Sequence, residues 1–366
     1  MINVLFDHQT FSTQRYGGIS RYFANIYHHI NLQNYIQSDI SILSTENQYI
    51  QEYPAILNNQ LGKLIMTKPN RRFKWNKVYS KYRIKKNDFD ILHPTYYQPY
   101  FLKDIKKPYV ITVHDMIHEI YPEFFESGDP TARYKRLCVE NASHIIAISE
   151  STKSDLIKYL NIRENDISVI HHGCDSQLSF QSAQNIAILP FDYLLYVGDR
   201  KGYKNWPRFV NAISPLLQKN KSMKLVCAGG GPLMAAEQEL LHRLRITEQV
   251  QHHSVSDATL SSLYQNALAF IYPSLYEGFG LPILEAFQNQ CPVIASNTPC
   301  FREVGGNAIF YFDPTNENDM LLSITSLIDS KEKRKHALIS GQAMLPQYAM
   351  EHCLNKTLAV YRNIHS

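Results

Sequence analysis

Glu277 and Glu285 bracket the run Gly278-Phe279-Gly280-Leu281-Pro282-Ile283-Leu284. A carboxylate is a poor phosphate ligand but a good acceptor for sugar hydroxyls. The residues between the two glutamates favour the opposite partner. Gly278 and Gly280 permit a tight turn and a close backbone approach to a ligand. Pro282 suits the first turn of a helix, where its missing N–H costs nothing. A helix starting there aims N–H groups and a partial positive charge at an anion. The segment therefore suits a ligand carrying both phosphate and hydroxyls, such as a nucleotide sugar. Its plain alternative is a strand-turn-helix corner that binds nothing.

Other residues could share such chemistry. Arg200 and Lys204 follow the apolar run Tyr193-Leu194-Leu195-Tyr196-Val197. One is a forked cation and the other a point charge, so together they could neutralise a diphosphate; otherwise they are solvated surface charge. His114 and Asp115 follow Tyr109-Val110-Ile111-Thr112-Val113, where a histidine could face a ligand or simply pack or cap. Asp88-Phe89-Asp90 has the D-x-D spacing that can hold a divalent metal, but it precedes a short strand and stands apart from the other motifs. We read it as strand-start acids and expect no essential metal and no cofactor. The doublets His28-His29, His171-His172 and His252-His253 are adjacent, and neighbours on a helix or strand point apart, which denies them metal-site geometry. The six cysteines are scattered without a C-x-x-C pair and read as reduced structural thiols.

These residues need a frame. Short apolar runs alternate with helical patterns: Asn3-Val4-Leu5-Phe6, Ile91-Leu92, residues 109–113, Ile145-Ile146-Ala147-Ile148 and Ile167-Ser168-Val169-Ile170. Residues 151–160 read as a helix capped by Ser149 or Ser151. The rhythm pauses over residues 174–190, read as a linker. It resumes with residues 193–197, Lys224-Leu225-Val226-Cys227-Ala228, Ala269-Phe270-Ile271-Tyr272 and Pro292-Val293-Ile294-Ala295. Nearly continuous apolar strands suit parallel sheets covered on both faces. We expect α/β units at residues 1–175 and 190–345, with a terminal helix in 346–366 packing back toward the first unit. Two doubly wound domains imply a cleft, with ligands beyond the carboxyl ends of strands.

At 366 residues, 44% hydrophobic and 19% charged, the chain has ordinary globular composition and length for two domains. A net charge of +4 does not indicate nucleic acid as a partner. The first residues lack a basic stretch and meet Asp7 early, so no export signal is expected. No apolar run is long enough to span a bilayer, and a cytoplasmic location is expected. From Lys63 to Lys86 ten lysines and arginines occur without one acid, interleaved with Phe73, Trp75, Tyr79 and Tyr82. Such a stretch could lie on an anionic membrane surface or meet a lipid diphosphate. It could equally be a solvated helix face, or bind single-stranded nucleic acid.

The stretch from Pro273 to Ala286 resembles the E-x7-E signature of the retaining glycosyltransferase family 4, whose fold is GT-B. Tyr16-Gly17-Gly18-Ile19-Ser20-Arg21 resembles its glycine-rich loop after the first strand. Asp90-Ile91-Leu92-His93-Pro94, Thr112-Val113-His114-Asp115, the residues from Val197 to Asn205, Ala228-Gly229-Gly230-Gly231-Pro232 and Arg302-Glu303-Val304 agree with further family positions. The resemblance implies two Rossmann-like, doubly wound domains with a cleft between them, the first binding the acceptor and the second the nucleotide sugar. It implies Arg200 and Lys204 at the donor diphosphate, Glu285 at the ribose and Glu277 at the transferred sugar. The backbone of Gly278, Phe279, Gly280 and Leu281 would line the sugar pocket, and Val255 would lie near the base. Gly17 and Gly18 would let the first domain approach the phosphates, and His114 would lie near the transferred sugar.

The loop around Gly17 and the His114-Asp115 pair look most like bacterial O-antigen mannosyltransferases. GDP-mannose is therefore the expected donor and an undecaprenyl-diphosphate-linked glycan the expected acceptor. UDP-hexose or UDP-N-acetylhexosamine transfer stays open, as do an epimerase or phosphorylase of the same architecture and a non-catalytic nucleotide-sugar-binding subunit.

Overall fold

The computed structural model describes residues 1–57, 62, 66, 68–174 and 189–365. Most of the expected linker, residues 174–190, and Lys63 lie outside the described residues. The chain divides into two compact units. One comprises Met1–His172 with Glu351–Ser366, the other Gly173–Met350.

In the first unit the strands are β1 (Ile2–Phe6), β2 (Ile36–Ile40), β3 (Ile91–His93), β4 (Val110–Val113), β5 (His144–Ala147) and β6 (Ile167–Val169). All their pairings are parallel, in the orders β2-β1-β3 and β4-β5-β6. A single bridge between Leu92 and Tyr109 joins the two halves. The interior strands carry Val4, Leu5, Phe6, Ile91, Leu92, Val110, Ile111, Ile145 and Ile146, all essentially inaccessible. That is why they read as continuous apolar runs. Ser149, not Ser151, caps the helix Glu150–Leu160, its hydroxyl accepting from the Thr152 N–H at 3.0 Å. The terminal helix Met350–His365 belongs to this unit; the Tyr361 hydroxyl meets His93 Nδ1 at 2.6 Å.

The second unit is a six-stranded parallel sheet. Its strands are β7 (Tyr193–Val197), β8 (Lys224–Ala228), β9 (Val250–His253), β10 (Ala269–Tyr272), β11 (Val293–Ser296) and β12 (Ile309–Phe312), in the order β12-β11-β10-β7-β8-β9. The helices Trp206–Lys219 and Glu317–Ile328 cover one face, burying Phe209, Val210, Ile213, Met320 and Ile324 against Leu194, Tyr196, Leu225 and Ile294.

Both sheets are doubly wound. In the second the chain runs outward from β7 through β8 to β9, then returns to β10 on the other side of β7. In the first it runs from β1 to β2 and returns to β3 on the other side of β1. The central pairs β7/β10 and β1/β3 are therefore topological switch points, where the connections leave a crevice beyond the strands' carboxyl ends. β2, β9 and β12 are all edge strands absent from the sequence-based reading. β2 and β9 have polar residues at Gln37, Ser38, Asp39, Gln251, His252 and His253, so neither reads as an apolar run.

Candidate functional site

β7 delivers Gly198, Asp199 and Arg200, then a short 3-10 turn, Gly202–Lys204. β10 delivers Pro273 through Gly280 and then the helix Leu281–Gln288. The two segments are tied directly: the Leu275 N–H donates to the Tyr203 carbonyl at 2.8 Å. Asn205, in the left-handed region at φ 60°, donates its side-chain amide to the carbonyls of Pro273 (3.1 Å) and Pro314 (2.8 Å). That anchoring sets Lys204 Nζ 2.5 Å from Glu277 Oε1, so the switch point carries a cation and a carboxylate already joined. Burial alone would depress the Lys204 ammonium, but Glu277 beside it raises it above the ordinary lysine range overall. Tyr203 and Tyr272 place their rings 5.0 and 5.7 Å from the same nitrogen. Tyr272 is itself held un-ionised by burial and by Glu277.

Glu285 stands half-buried on the helix, its Oε2 accepting from the Tyr264 hydroxyl at 3.3 Å. Gly280, at φ 107°, caps the helix, and Pro282 occupies its first turn. Phe279 is buried beside Tyr348, and its carbonyl accepts from the Cys300 thiol. Gly278 is buried and Leu281 half-buried in the same corner. Val255 is half-buried between β9 and the helix Asp257–Asn266.

Arg200, expected at the donor diphosphate, makes a set of bonds to protein partners. Its side chain is 2% exposed. Nε donates to Glu237 Oε1 at 2.9 Å, and the terminal nitrogens donate to the carbonyls of Gly229 (3.2 Å), Gly231 (2.8 Å) and Pro232 (3.0 Å). Gly229, Gly230 and Gly231 all have positive φ. A side chain at Gly230 would fall 2.4 Å from the Gly198 carbonyl oxygen. Arg200 thus locks the turn after β8 onto the turn after β7, with its charge met by Glu237. The sequence-based reading missed Glu237. Its place near the start of the helix Ala235–Arg243, accepting from the Met234 N–H, is a legible helix cap, but its partnership with Arg200 is not. It also missed Tyr272, whose signal is a polar-tipped ring at the end of a buried strand.

In the first unit His114 follows β4, and its backbone N–H donates to the Tyr97 hydroxyl at 3.0 Å. The ring is 7% exposed, stacks 5.8 Å from His172, and has no hydrogen-bond partner at either nitrogen among the described residues. Burial lowers it to about 4, and Lys135 adds to this against the opposing pull of Asp115. His114 is therefore a neutral imidazole at physiological pH. Its neighbour His93 is satisfied at both nitrogens, by Tyr361 and Thr112. Asp115 accepts from the Ile117 N–H and pairs with the buried Lys135 at 3.6 Å, which orients the loop behind His114. Gly17 precedes the helix Gly18–Ile30, of which Gly18 is the first residue.

Asp88 pairs with Lys86 at 2.9 Å, and Asp90 accepts from the Asn3 backbone and side chain. Among the described residues no cluster of three or more His, Cys, Asp or Glu comes together as a metal site. Among them, too, no helix is long and apolar enough to cross a membrane.

Two parallel α/β units, each with polar residues beyond its switch point, define a two-domain protein of the Rossmann-like kind. Known proteins narrow the class. Residues 16–178 match the family described as Glycosyltransferase Family 4, and residues 181–343 match Glycosyl transferases group 1. The chain is 29% identical over 218 residues to the O-antigen chain mannosyltransferase RfbU of Salmonella typhimurium, covering 59% of this chain and 60% of that protein. It is 28% identical over 288 residues to the O-antigen chain mannosyltransferase B of Escherichia coli, covering 74% and 73%. Among solved structures, a glycosyltransferase from Rickettsia africae superposes with a TM-score of 0.71 at 16% identity, covering 99% and 98%. The chain is therefore a glycosyltransferase with the GT-B fold, each of its units matching a glycosyltransferase family.

Proposed function

We propose that the chain is a retaining hexosyltransferase that moves mannose from GDP-mannose to a sugar of an undecaprenyl-diphosphate-linked glycan, in assembly of O-antigen or another surface polysaccharide. The observation that carries the donor reading is the Lys204–Glu277 pair at the β7/β10 switch point. On donor binding the diphosphate takes Lys204 and the start of the helix Leu281–Gln288, and a hydroxyl of the hexose takes Glu277. Glu285 takes the ribose, Val255 lies beside the base, and the backbone of Gly278, Phe279, Gly280 and Leu281 borders the sugar. Arg200 acts one step back, holding the glycine turn. Mannose is favoured by the names of the relatives.

In the reaction the bond from anomeric carbon to phosphate oxygen breaks as the acceptor oxygen attacks from the same face. The acceptor proton passes to the departing phosphate oxygen. Lys204 stabilises the charge that grows there, an electrostatic effect worth most in a desolvated site. The remaining work is positioning. His114, a neutral hydrogen-bonding group, belongs to that positioning and not to proton abstraction. No essential metal or cofactor enters this scheme. The helix Pro69–Lys86 rests on the anionic cytoplasmic leaflet, and no nucleic acid is involved.

The test is ligand-induced thermal stabilisation by GDP, UDP, CMP and ADP and their sugar conjugates, without metal. A ligand at about 100 times its Kd adds roughly 2.7 kcal/mol. A GDP response lost in Glu285→Ala supports the reading. A UDP response keeps the site and discards mannose. Silence to every nucleotide overturns it. Activity abolished by EDTA and restored by magnesium or manganese would overturn the metal-free scheme.

A further inference from the structure

Lys135 carries its charge into the interior of the first unit. It stands on the helix Thr131–Glu140 with no part of its side chain exposed. Nζ donates to the Asp115 carbonyl and to Glu119 Oε2, each at 2.8 Å, and lies 3.6 Å from Asp115 Oδ1. The same nitrogen is 5.3 Å from the centre of the Tyr97 ring. Glu119, in the short helix Ile117–Ile120, has 8% of its side chain exposed, and its Oε1 has no hydrogen-bond partner among the described residues. A buried ion pair seldom stabilises a fold more than apolar residues of the same volume. Stability alone therefore does not account for a lysine at this position.

What Lys135 touches is the mounting of His114. The Asp115 carbonyl belongs to the residue that follows His114 in the chain. The Tyr97 hydroxyl accepts the His114 backbone N–H, and the Tyr97 carbonyl accepts from the thiol of Cys138, on the same helix as Lys135. One helix thus grips both supports of the His114 backbone. The ring beyond is enclosed by Tyr22 (5.6 Å), Phe23 (6.0 Å) and His172 (5.8 Å). Of the titratable groups packed round it, burial holds Tyr22 and Tyr97 un-ionised and holds His93 and His172 neutral. Asp115 and Lys135 remain as the charges that the ring meets. Burial disfavours the imidazolium most, Asp115 favours it, and Lys135 disfavours it.

We infer that Lys135 is a positioning residue for the transfer: its buried ammonium fixes the turn after β4 and sets the electrostatic field in which the His114 ring meets its ligand. The inference rests on the reading above that His114 helps to position substrate, and it adds the residue that mounts it. Lys135 needs no contact with substrate to act. Its charge is held within hydrogen-bond reach of the main chain next to His114, and it opposes the Asp115 carboxylate, which draws a proton toward the ring. Without the ammonium, Asp115 acts unopposed, and the ring takes a proton at higher pH than its native value of about 4.

The test is an NMR titration of the His114 ring in the full chain with isotope-labelled histidine. The signal is assigned with His114→Gln, because His118 also feels Lys135. Lys135→Met alone strands Glu119, so the variant is Lys135→Met combined with Glu119→Leu. Glu119→Gln, which keeps the ammonium, is the comparison. At pH 5 about a tenth of the native rings should be protonated and about half of those in the double variant, a rise of about one pH unit in the midpoint. Glu119→Gln should stay close to native. At neutral pH the double variant should release nucleotide about tenfold more slowly, through its loosened turn, from the sugar conjugate that stabilises the native chain, with the nucleotide thermal shift kept. An unshifted His114 signal in the double variant, an equal rise in Glu119→Gln, or an unchanged release rate would overturn the inference. A native chain that no nucleotide or sugar conjugate stabilises fails the transferase reading instead, whatever the titration shows.

Discussion

The two switch points share a topology and differ in chemistry. Beyond β7 and β10 the polar groups are ionic: Lys204 is joined to Glu277, and one shell deeper Arg200 is joined to Glu237. Beyond β1 and β3 a cavity bordered by Gln14 and Gln98 has an uncharged lining, and the nearest carboxylate, Asp7, lies fully buried behind it. Burial raises the Asp7 carboxyl above its usual range, against hydrogen bonds from Thr95 and Gln9 that lower it. Three buried histidines of the first unit follow the same rule, since burial holds His8, His93 and His114 neutral. A parallel sheet supplies the place for a ligand, and the loops decide its charge. An ionic pair such as Lys204–Glu277 suits a charged ligand that can exchange partners with it. Uncharged donors suit a ligand whose hydroxyls need no counter-charge.

The largest expected effect concerns the deeper ionic pair. Truncating one member of a buried pair leaves the other charged and unmatched, at a cost of about 3–5 kcal/mol. Glu237→Ala should lower the urea midpoint of the second unit accordingly, while Arg200→Met combined with Glu237→Leu should recover much of the loss. If Glu237→Ala is neutral, Arg200 is not the lock described above.

Lys204 sharpens the contrast from the catalytic side. Lys204→Met should cut kcat/KM by about 10²–10³, or ~2.7–4 kcal/mol, as for other removed oxyanion partners. The same assay on Gln98→Leu should show a raised KM for the acceptor and an unchanged KM for the donor. A reversed pattern would exchange the roles of the two units.

The histidines give a pH test. His114 has a native value of about 4 against about 6.5 unfolded. Between these values the unfolded chain binds the extra proton. Stability from the neutral ring is thus complete above pH 6.5 and is lost as pH falls toward 4, about 3 kcal/mol in all. His114→Gln should flatten that part of the curve in urea titrations at successive pH values. Equal slopes would show that the ring titrates normally and is exposed.

Sequence legibility follows the same physics. Interior strands such as β4 and β10 were readable because burial on both faces demands unbroken apolar runs. Edge strands β2 and β9 were not, because their polar residues blur that pattern. Glu277, Glu285 and Lys204 stood out because their spacing meets a turn and a helix start. Arg200 stood out equally, but whether a cation faces solvent or its own loop depends on Glu237, 37 residues on, and no local pattern encodes that. The neutral cavity was invisible because glutamine, threonine and tyrosine carry no distinctive spacing.

The smallest expected effect lies on the helix Pro69–Lys86, which borders the cavity through Phe73. Its cations divide. Arg72 pairs with Glu46, Arg83 with Asp39, and Lys86 with Asp88. Lys74 and Lys81 have no acidic partner among the described residues, and they flank Trp75, Val78 and Tyr82, each more than half exposed. Residues 74, 75, 78, 81 and 82 share one helical face, with Lys74 and Lys81 along one edge and Val78, Tyr82 and Trp75 beside them. Such a face binds anionic bilayers with on the order of 1 kcal/mol per base. Lys74→Gln or Lys81→Gln should each weaken co-sedimentation with phosphatidylglycerol vesicles about fivefold, and Trp75→Ser should weaken it further. Binding indifferent to anionic lipid would make this face a solvated surface.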